Sequence, residues 1–336
     1  MRELTLSEAL LIYRQLPLDL QSPYHHPEFV LLDARYKSNA KAVFFGGKTQ
    51  DGIFFCPLHF ITSPELNIID AESARGYGGP IVFSADDSFK ILSFERFFNW
   101  LKSNDTLVEF ERLSPLIGNE KSFVGERIFN RLTSAVDLGD YSIKKHGSKS
   151  VRYIKKAMKA GCSVTLSLSP SVEQIASFIE VYNNRMSELE ASEQYLYPDE
   201  YFFELFNTSQ KVMLALVHEG DVIIAASSFL LAGRLAEYHL SAATTLGRQL
   251  GATNLLLHSV SETLSEESNY DFLHLGGGRT TDIDDPLLQF KQTIGKVSLD
   301  FYIGSNVLDR DRYKFLKASQ NNSAVFFPNR VIFYRN

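Results

Sequence analysis

"LHLGGGRTTDIDDPLLQFKQTIG", from Leu273 to Gly295, places three consecutive glycines, an arginine, three acids and a lysine between two apolar segments. The run that leads into it, "YDFLHL" (Tyr270 to Leu275), reads as a strand that the glycines stop. A helix is expected next. Asp285 can accept hydrogen bonds from the first free amides, and Pro286 fits the first helical position, where a missing N–H costs nothing. Leu287, Phe290 and Ile294 recur at helical spacing as one buried stripe, and Gly295 ends the segment. Lys291 is then expected at the margin of the apolar face, where its ammonium either snorkels to water or reaches a site.

Around this stretch stand 336 residues, enough for two domains, drawn here as 1–140 and 141–336. A hydrophobic share of 44% and a charged share of 22% describe a globular chain with a substantial core. The net charge of -6 argues against a surface built wholly for nucleic acid, and DNA is not expected as a partner. Cys56 and Cys162 are too few and too far apart for a disulfide framework or a metal-ligand spacing, so no metal is expected and a reducing, cytoplasmic setting fits. The first residues lack a signal-peptide core, and "VIIAASSFLLAG" is too short and too serine-rich to span a membrane.

Both halves alternate strands and helices with antiparallel hairpins, an α/β arrangement of mixed sheets, and "AVFFPNRVIFYRN" at the end suggests further strands. Between Tyr141 and Pro170 lie seven basic residues and no acid. In "SKSVRYIKKAMKAG", Val151, Ile154 and Met158 mark a buried stripe, while Lys149, Arg152, Lys156 and Lys159 share another face. A one-sign face serves either as a solvated surface or as a seat for a phosphate-bearing ligand or RNA. On the strand "RLAEYHLSAAT", alternation puts Glu237, His239 and Ser241 on one side. His239 leads as a candidate base, followed by Glu237, with His274 a weaker third.

The order strand, hairpin, strand, strand, glycine-containing loop, helix, strand over Lys211 to Leu275 resembles the core of the GNAT acyltransferases. "GYGGP" (Gly76–Pro80), "VEFERLSP" (Val108–Pro115), "VRYIKKAMKAG" (Val151–Gly161), "GATNLLLHSV" (Gly251–Val260) and "LGGG…DPLLQFKQTIG" (Leu275–Gly295), in that order, resemble the FemA/FemB/FemX-like branch, in which two GNAT-like domains are fused. The resemblance implies two fused GNAT-like domains with the donor site in the second. It implies an N-acyltransferase that moves an acyl group to an amine on a sugar or peptide of a cell-envelope precursor, linked to a nucleotide or lipid. Acyl-CoA is expected as donor, its pyrophosphate on Arg248, Gly251, Ala252 and Thr253 at a helix N-terminus. Lys291 is expected to stabilise the developing oxyanion, and Lys149, Arg152, Lys156, Gly277, Gly278, Arg279 and Tyr77 to hold substrate. An aminoacyl-tRNA donor is the alternative, although the long helical arm of many such enzymes is missing. A non-catalytic module for a phosphorylated ligand stays open as well.

Overall fold

The computed structural model describes residues 1–319 and 330–335. Contacts divide the chain into one unit made of residues 1–20, 24–130 and 301–336 and a second of residues 21–23 and 131–300. The single cut expected at 140/141 therefore differs from the division by contacts, which draws residues 301–336 into the first unit.

The first unit begins with β1 (Arg2–Glu3), α1 (Leu6–Arg14) and α2 (Pro27–Arg35). A capping box formed by Thr5 and Glu8 starts α1. Then come β2 (Ala40–Lys48), β3 (Ile53–Ser63), β4 (Ile68–Glu72), β5 (Ile81–Phe83), α3 (Asp87–Ser103) and β6 (Thr106–Arg112). β3 is the almost unbroken apolar run "IFFCPLHFITS"; it pairs antiparallel with β2, β4 and β5 and is buried on both faces. Its Phe54 meets Phe94 and Phe97 of α3. Trp100 of the same helix stacks on Phe45 and Phe60, giving the aromatic residues their place in the core. β4 and β6 run parallel, joined across α3.

β7 (Glu126–Asp137) enters the second unit at Arg131. That unit continues with α4 (Ser148–Lys159), β8 (Ser163–Ser167), α5 (Val172–Glu188), α6 (Asp199–Asn207), β9 (Lys211–Glu219), β10 (Val222–Ala232) and β11 (Leu235–Ala243). It ends with α7 (Thr245–Leu250), α8 (Ala252–Glu266), β12 (Phe272–Gly277), α9 (Pro286–Gln292) and the start of β13 (Val297–Val307). Residues 303–307 of β13 lie in the first unit and pair antiparallel with β6; α10 (Arg310–Ser319) follows. The strands of the second unit stand in the order β7-β12-β11-β10-β9-β8, and only β11 and β12 are parallel. Their crossover is α7 and α8. α8 buries Leu255, Leu256, Leu257, Val260 and Leu264 in the core.

Some expectations need correction. Residues 330–335 form bends and a turn, so the strand expected in the closing segment is not found there; residues 324–329 and 336 lie outside the described residues. The buried stripe of α4 is Ser150, Ile154 and Ala157, while Met158 is 53% exposed. Small side chains face α8 because Asn254 of that helix donates to Ser150 Oγ at 3.1 Å, which brings the two backbones close. Among the described residues no helix is long and apolar enough to cross a membrane.

Candidate active site

β11 and β12 pair over three positions, Leu235 with Phe272, Ala236 with Leu273 and Glu237 with His274. Beyond them the ladder stops. β12 stays with β7 through a bulge between His274 and Gly276, and Gly276 takes φ +76°, a conformation that a side chain disfavours. A gap thus opens at the carboxyl ends of two parallel strands, where α/β sheets place their ligands.

The helix after the glycines is built as its cap predicts. Asp285 Oδ1 accepts from the Leu287 and Leu288 amides, and Oδ2 from the Arg279 and Thr280 amides and the Thr280 hydroxyl. Burial opposes charge on Asp285, but these hydrogen bonds prevail and hold its pKa at about 2. A Cβ on Gly278 would meet the Asp285 carboxyl at 2.4 Å, so the third glycine is what lets the carboxylate close the loop. α9 itself is rotated by one residue from the expected stripe. Leu288, Lys291 and Ile294 are buried and Leu287 is exposed, which puts Lys291 inside instead of at the margin.

Lys291 Nζ donates to Gly277 O at 2.7 Å. Burial lowers its pKa to about 8, opposed by Asp285 and Glu237 and assisted by Arg131. Arg131 donates to Gly278 O at 2.9 Å, so two cations hold the carbonyls of the glycine strand end. Below them Glu237 Oε2 lies 2.8 Å from His274 Nδ1, and His274 Nε2 lies 2.9 Å from Thr133 Oγ1. All three side chains are buried. Burial raises the Glu237 pKa against the pull of His274 and Lys291, and its Oε1 has no hydrogen-bond partner. A buried ammonium beside an unpaired carboxyl oxygen at a strand gap can donate to a developing oxyanion and accept a proton from a nucleophile.

The other expected residues lie elsewhere. His239 Nε2 is 3.0 Å from Tyr201 OH of α6. Ser241 does not share the Glu237 side of the strand: Tyr238 OH donates to Ser241 Oγ, because an irregularity between the Ser227–Ser241 and Phe229–Tyr238 pairs breaks the alternation. Arg248 donates to Ala243 O and pairs with Glu188. A helical turn, α7, precedes Gly251, and a Cβ on Gly251 would strike Tyr153 of α4 at 2.7 Å. Ala252 is fully buried, Thr253 half-buried, and Lys156 caps the preceding turn by donating to Gln249 O. Lys149, Arg152 and Lys159 are exposed on α4, and Arg279 is exposed after the glycines. Tyr77 belongs to the first unit, where its ring meets Tyr24 and Phe301 edge-on. A cleft of about 410 Å³ between α5 and the end of β11 is lined by Val181, Asn184, Arg185, Glu188, Ala243 and Thr244. Among the described residues no group of three or more His, Cys, Asp or Glu side chains is arranged to hold a metal.

No protein-family model and no curated protein matches the sequence. Solved structures do match. FemX aligns over 94% of this chain and 100% of its own with a TM-score of 0.65 at 13% identity. The C-terminal domain of a protein described as a lysylphosphatidylglycerol synthetase from Agrobacterium fabrum covers 94% of this chain and 97% of its own, with a TM-score of 0.61 at 14% identity. L-PGS from Bacillus licheniformis covers 92% and 94%, with a TM-score of 0.62 at 13% identity. The fold is a mixed α/β arrangement of two fused GNAT-like units. Within that class it is FemX-like.

Proposed function

We propose that the second unit transfers an acyl group, carried as an activated ester, to an amine or hydroxyl of a cell-envelope component, and that Lys291 and Glu237 carry the chemistry. The observation that carries this reading is a buried ammonium, lowered to about pKa 8, held at the end of the parallel pair beside an unpaired carboxyl oxygen. The nucleophile adds to the carbonyl carbon and yields its proton toward Glu237 Oε1, directly or across one water. The oxyanion forms against Lys291, whose ammonium makes one hydrogen bond among the described residues and so has donors to spare.

An aminoacyl ester is the preferred donor. The likeness to FemX and to lysylphosphatidylglycerol synthetase, whose name describes lysyl transfer to a lipid, favours it. The α7–α8 junction adds support, since Gly251 and Ala252 are packed under α4 and not free to meet a pyrophosphate. An acyl-CoA donor is the second reading. The cleft at the end of β11 favours it, because Arg185 and Arg248 lie within reach of a phosphate if Glu188 gives way. The acceptor is proposed to be a nucleotide- or lipid-linked amine or a lipid hydroxyl.

The test offers charged tRNA and acyl-CoA separately, with amino-sugar, peptide and phosphatidylglycerol acceptors. Amino-acid transfer without thiol release supports the preferred donor, and thiol release supports the second. Tight ligand binding with no transfer from either donor replaces both with a binding module.

A further inference from the structure

We propose that His274 and Thr133 are positioning residues for this transfer: Glu237 relays the nucleophile's proton through its carboxyl to His274 Nδ1, and Thr133 fixes the imidazole hydrogen on Nε2. The inference rests on the acyl-transfer reading for its purpose, but its geometry stands apart from it.

The Thr133 hydroxyl has one hydrogen, and it is assigned to Leu299 O, 3.2 Å away, because a carbonyl oxygen can only accept whereas an imidazole nitrogen can donate. Its lone pairs therefore face His274 Nε2 at 2.9 Å, and that nitrogen must carry a hydrogen. In a neutral imidazole Nδ1 is then bare, and it points at Glu237 Oε2 at 2.8 Å. The hydrogen in that bond belongs to the carboxyl, as expected for an acid that is almost fully buried. One oxygen of Glu237 is thus ready to give a proton to His274, while the other, Oε1, has no partner and is ready to take one. The groups that act electrostatically on this line are Lys291 on Glu237, with Asp285 and Arg131 acting in turn on Lys291.

The step balances. The nucleophile's N–C or O–C bond forms, its proton goes to Glu237 Oε1, and the Oε2 proton goes to His274 Nδ1. The carbonyl pair becomes an oxyanion at Lys291. On collapse the bond from carbon to the donor's ester oxygen breaks, and that oxygen takes a proton from Lys291. Exchange with water then removes the extra proton from His274 and restores the ammonium.

The test uses the full chain labelled with ¹⁵N-histidine, with His274 assigned by its loss in His274→Gln. Long-range proton–nitrogen correlation at neutral pH should show hydrogen on Nε2 and none on Nδ1. Thr133→Val should mix the tautomers, and Thr133→Ser should restore the single form. A neutral imidazole with its hydrogen on Nδ1, or an imidazolium, overturns the proposal. In transfer assays His274→Gln should lower kcat about a hundredfold and leave KM within about twofold. A wild-type kcat in that variant overturns the proposal and leaves the acyl-transfer reading standing. Failure of the wild-type chain to transfer from any donor sinks that reading instead, and the tautomer measurement still decides whether the line is built as argued.

Discussion

In the first unit the chain that leaves β4 stays beside β6. The Ser73 amide donates to Phe110 O, the Gly78 amide to Arg112 O, and the Arg112 amide to Ser73 Oγ. The Arg112 guanidinium binds Ser73 O and Ala74 O, and Asn119 holds Gly78 O and Pro80 O from the other side. In the second unit the equivalent parallel pair, β11 and β12, ends after three residue pairs, and the carbonyls of the strand end are held by Lys291 and Arg131. The same device serves two purposes. Where backbone fills the gap, the carbonyls of the chain leaving β4 are held by Arg112 and Asn119 and the result is structure. Where side chains hold it open, donors and an acceptor remain for a guest.

The largest expected effect breaks this contrast at its sharpest point. Lys291→Met should remove the oxyanion donor and cost at least about a hundredfold in kcat, with a circular dichroism melt lowered by the roughly 1 kcal/mol that one stranded carbonyl, Gly277 O, costs. Its counterpart, Arg112→Met, should act on folding. It strands the Ser73 and Ala74 carbonyls in the first unit, and chemical denaturation should register a loss of roughly 2 kcal/mol. If Arg112→Met instead abolished transfer in a chain of normal stability, the gap in the first unit would have to be functional.

A smaller effect sharpens the second gap. Burial lowers the Lys291 pKa from 10.5 to about 8, so the protonated, donating form is lost as pH rises through about 8. The transfer rate should show a basic limb there. A limb near 10 would mean that the ammonium is solvated and that the buried geometry does not persist in solution. Glu237→Gln should leave that limb in place, since the carboxyl beside the lysine already carries its proton; a limb moved downward would mean that the carboxyl is ionised.

How much of this was legible in the sequence follows from how local each feature is. The start of α9 was readable because Asp285 and Pro286 act on amides within three residues of themselves. The stripe was misjudged by one residue, since "PLLQF" offers two adjacent leucines and only packing decides which one turns inward. α7 escaped notice because Gly247 lies inside it and weakens the helical signal. The glycine is there because Ile224 O lies 2.1 Å from where a Cβ would be. Glu237 was singled out, but its bond to His274 depends on the parallel register of two strands separated by a helical crossover, and Thr133 arrives from a third strand more than 100 positions away. No spacing rule reports such a pairing. The glycine loop "GYGGP" was expected to hold substrate through Tyr77. Its glycines instead have structural reasons: Gly76 takes φ +84° against the Tyr24 ring, and the Gly78 amide zips to Arg112.

The smallest expected effect separates two buried glutamates. Glu237 of the second unit has work for its free oxygen, whereas Glu109 of the first, fully buried on β6, has Oε2 bound to Asn306 Nδ2 at 2.7 Å and an Oε1 without a partner. Burial pushes the Glu109 pKa up from 4.5 to about 8 against the pull of Asn306, so it is a neutral acid at pH 7. A group that holds its proton more tightly when folded favours the fold fully below 4.5, and that contribution is lost as pH rises toward 8 and beyond. Glu109→Gln keeps the shape and cannot ionise. It should be close to neutral in stability at pH 5, then gain on the wild type as pH rises, by at most about 1.4 kcal/mol per pH unit, when denaturation midpoints are compared at pH 5, 7 and 9. Glu237→Gln should show a large fall in transfer and, because burial raises that carboxyl's pKa as well, a smaller gain in those midpoints as pH rises. A Glu109→Gln chain that lost stability at pH 9, or lost transfer at pH 7, would give that carboxyl a role in the first unit that its closed gap does not predict.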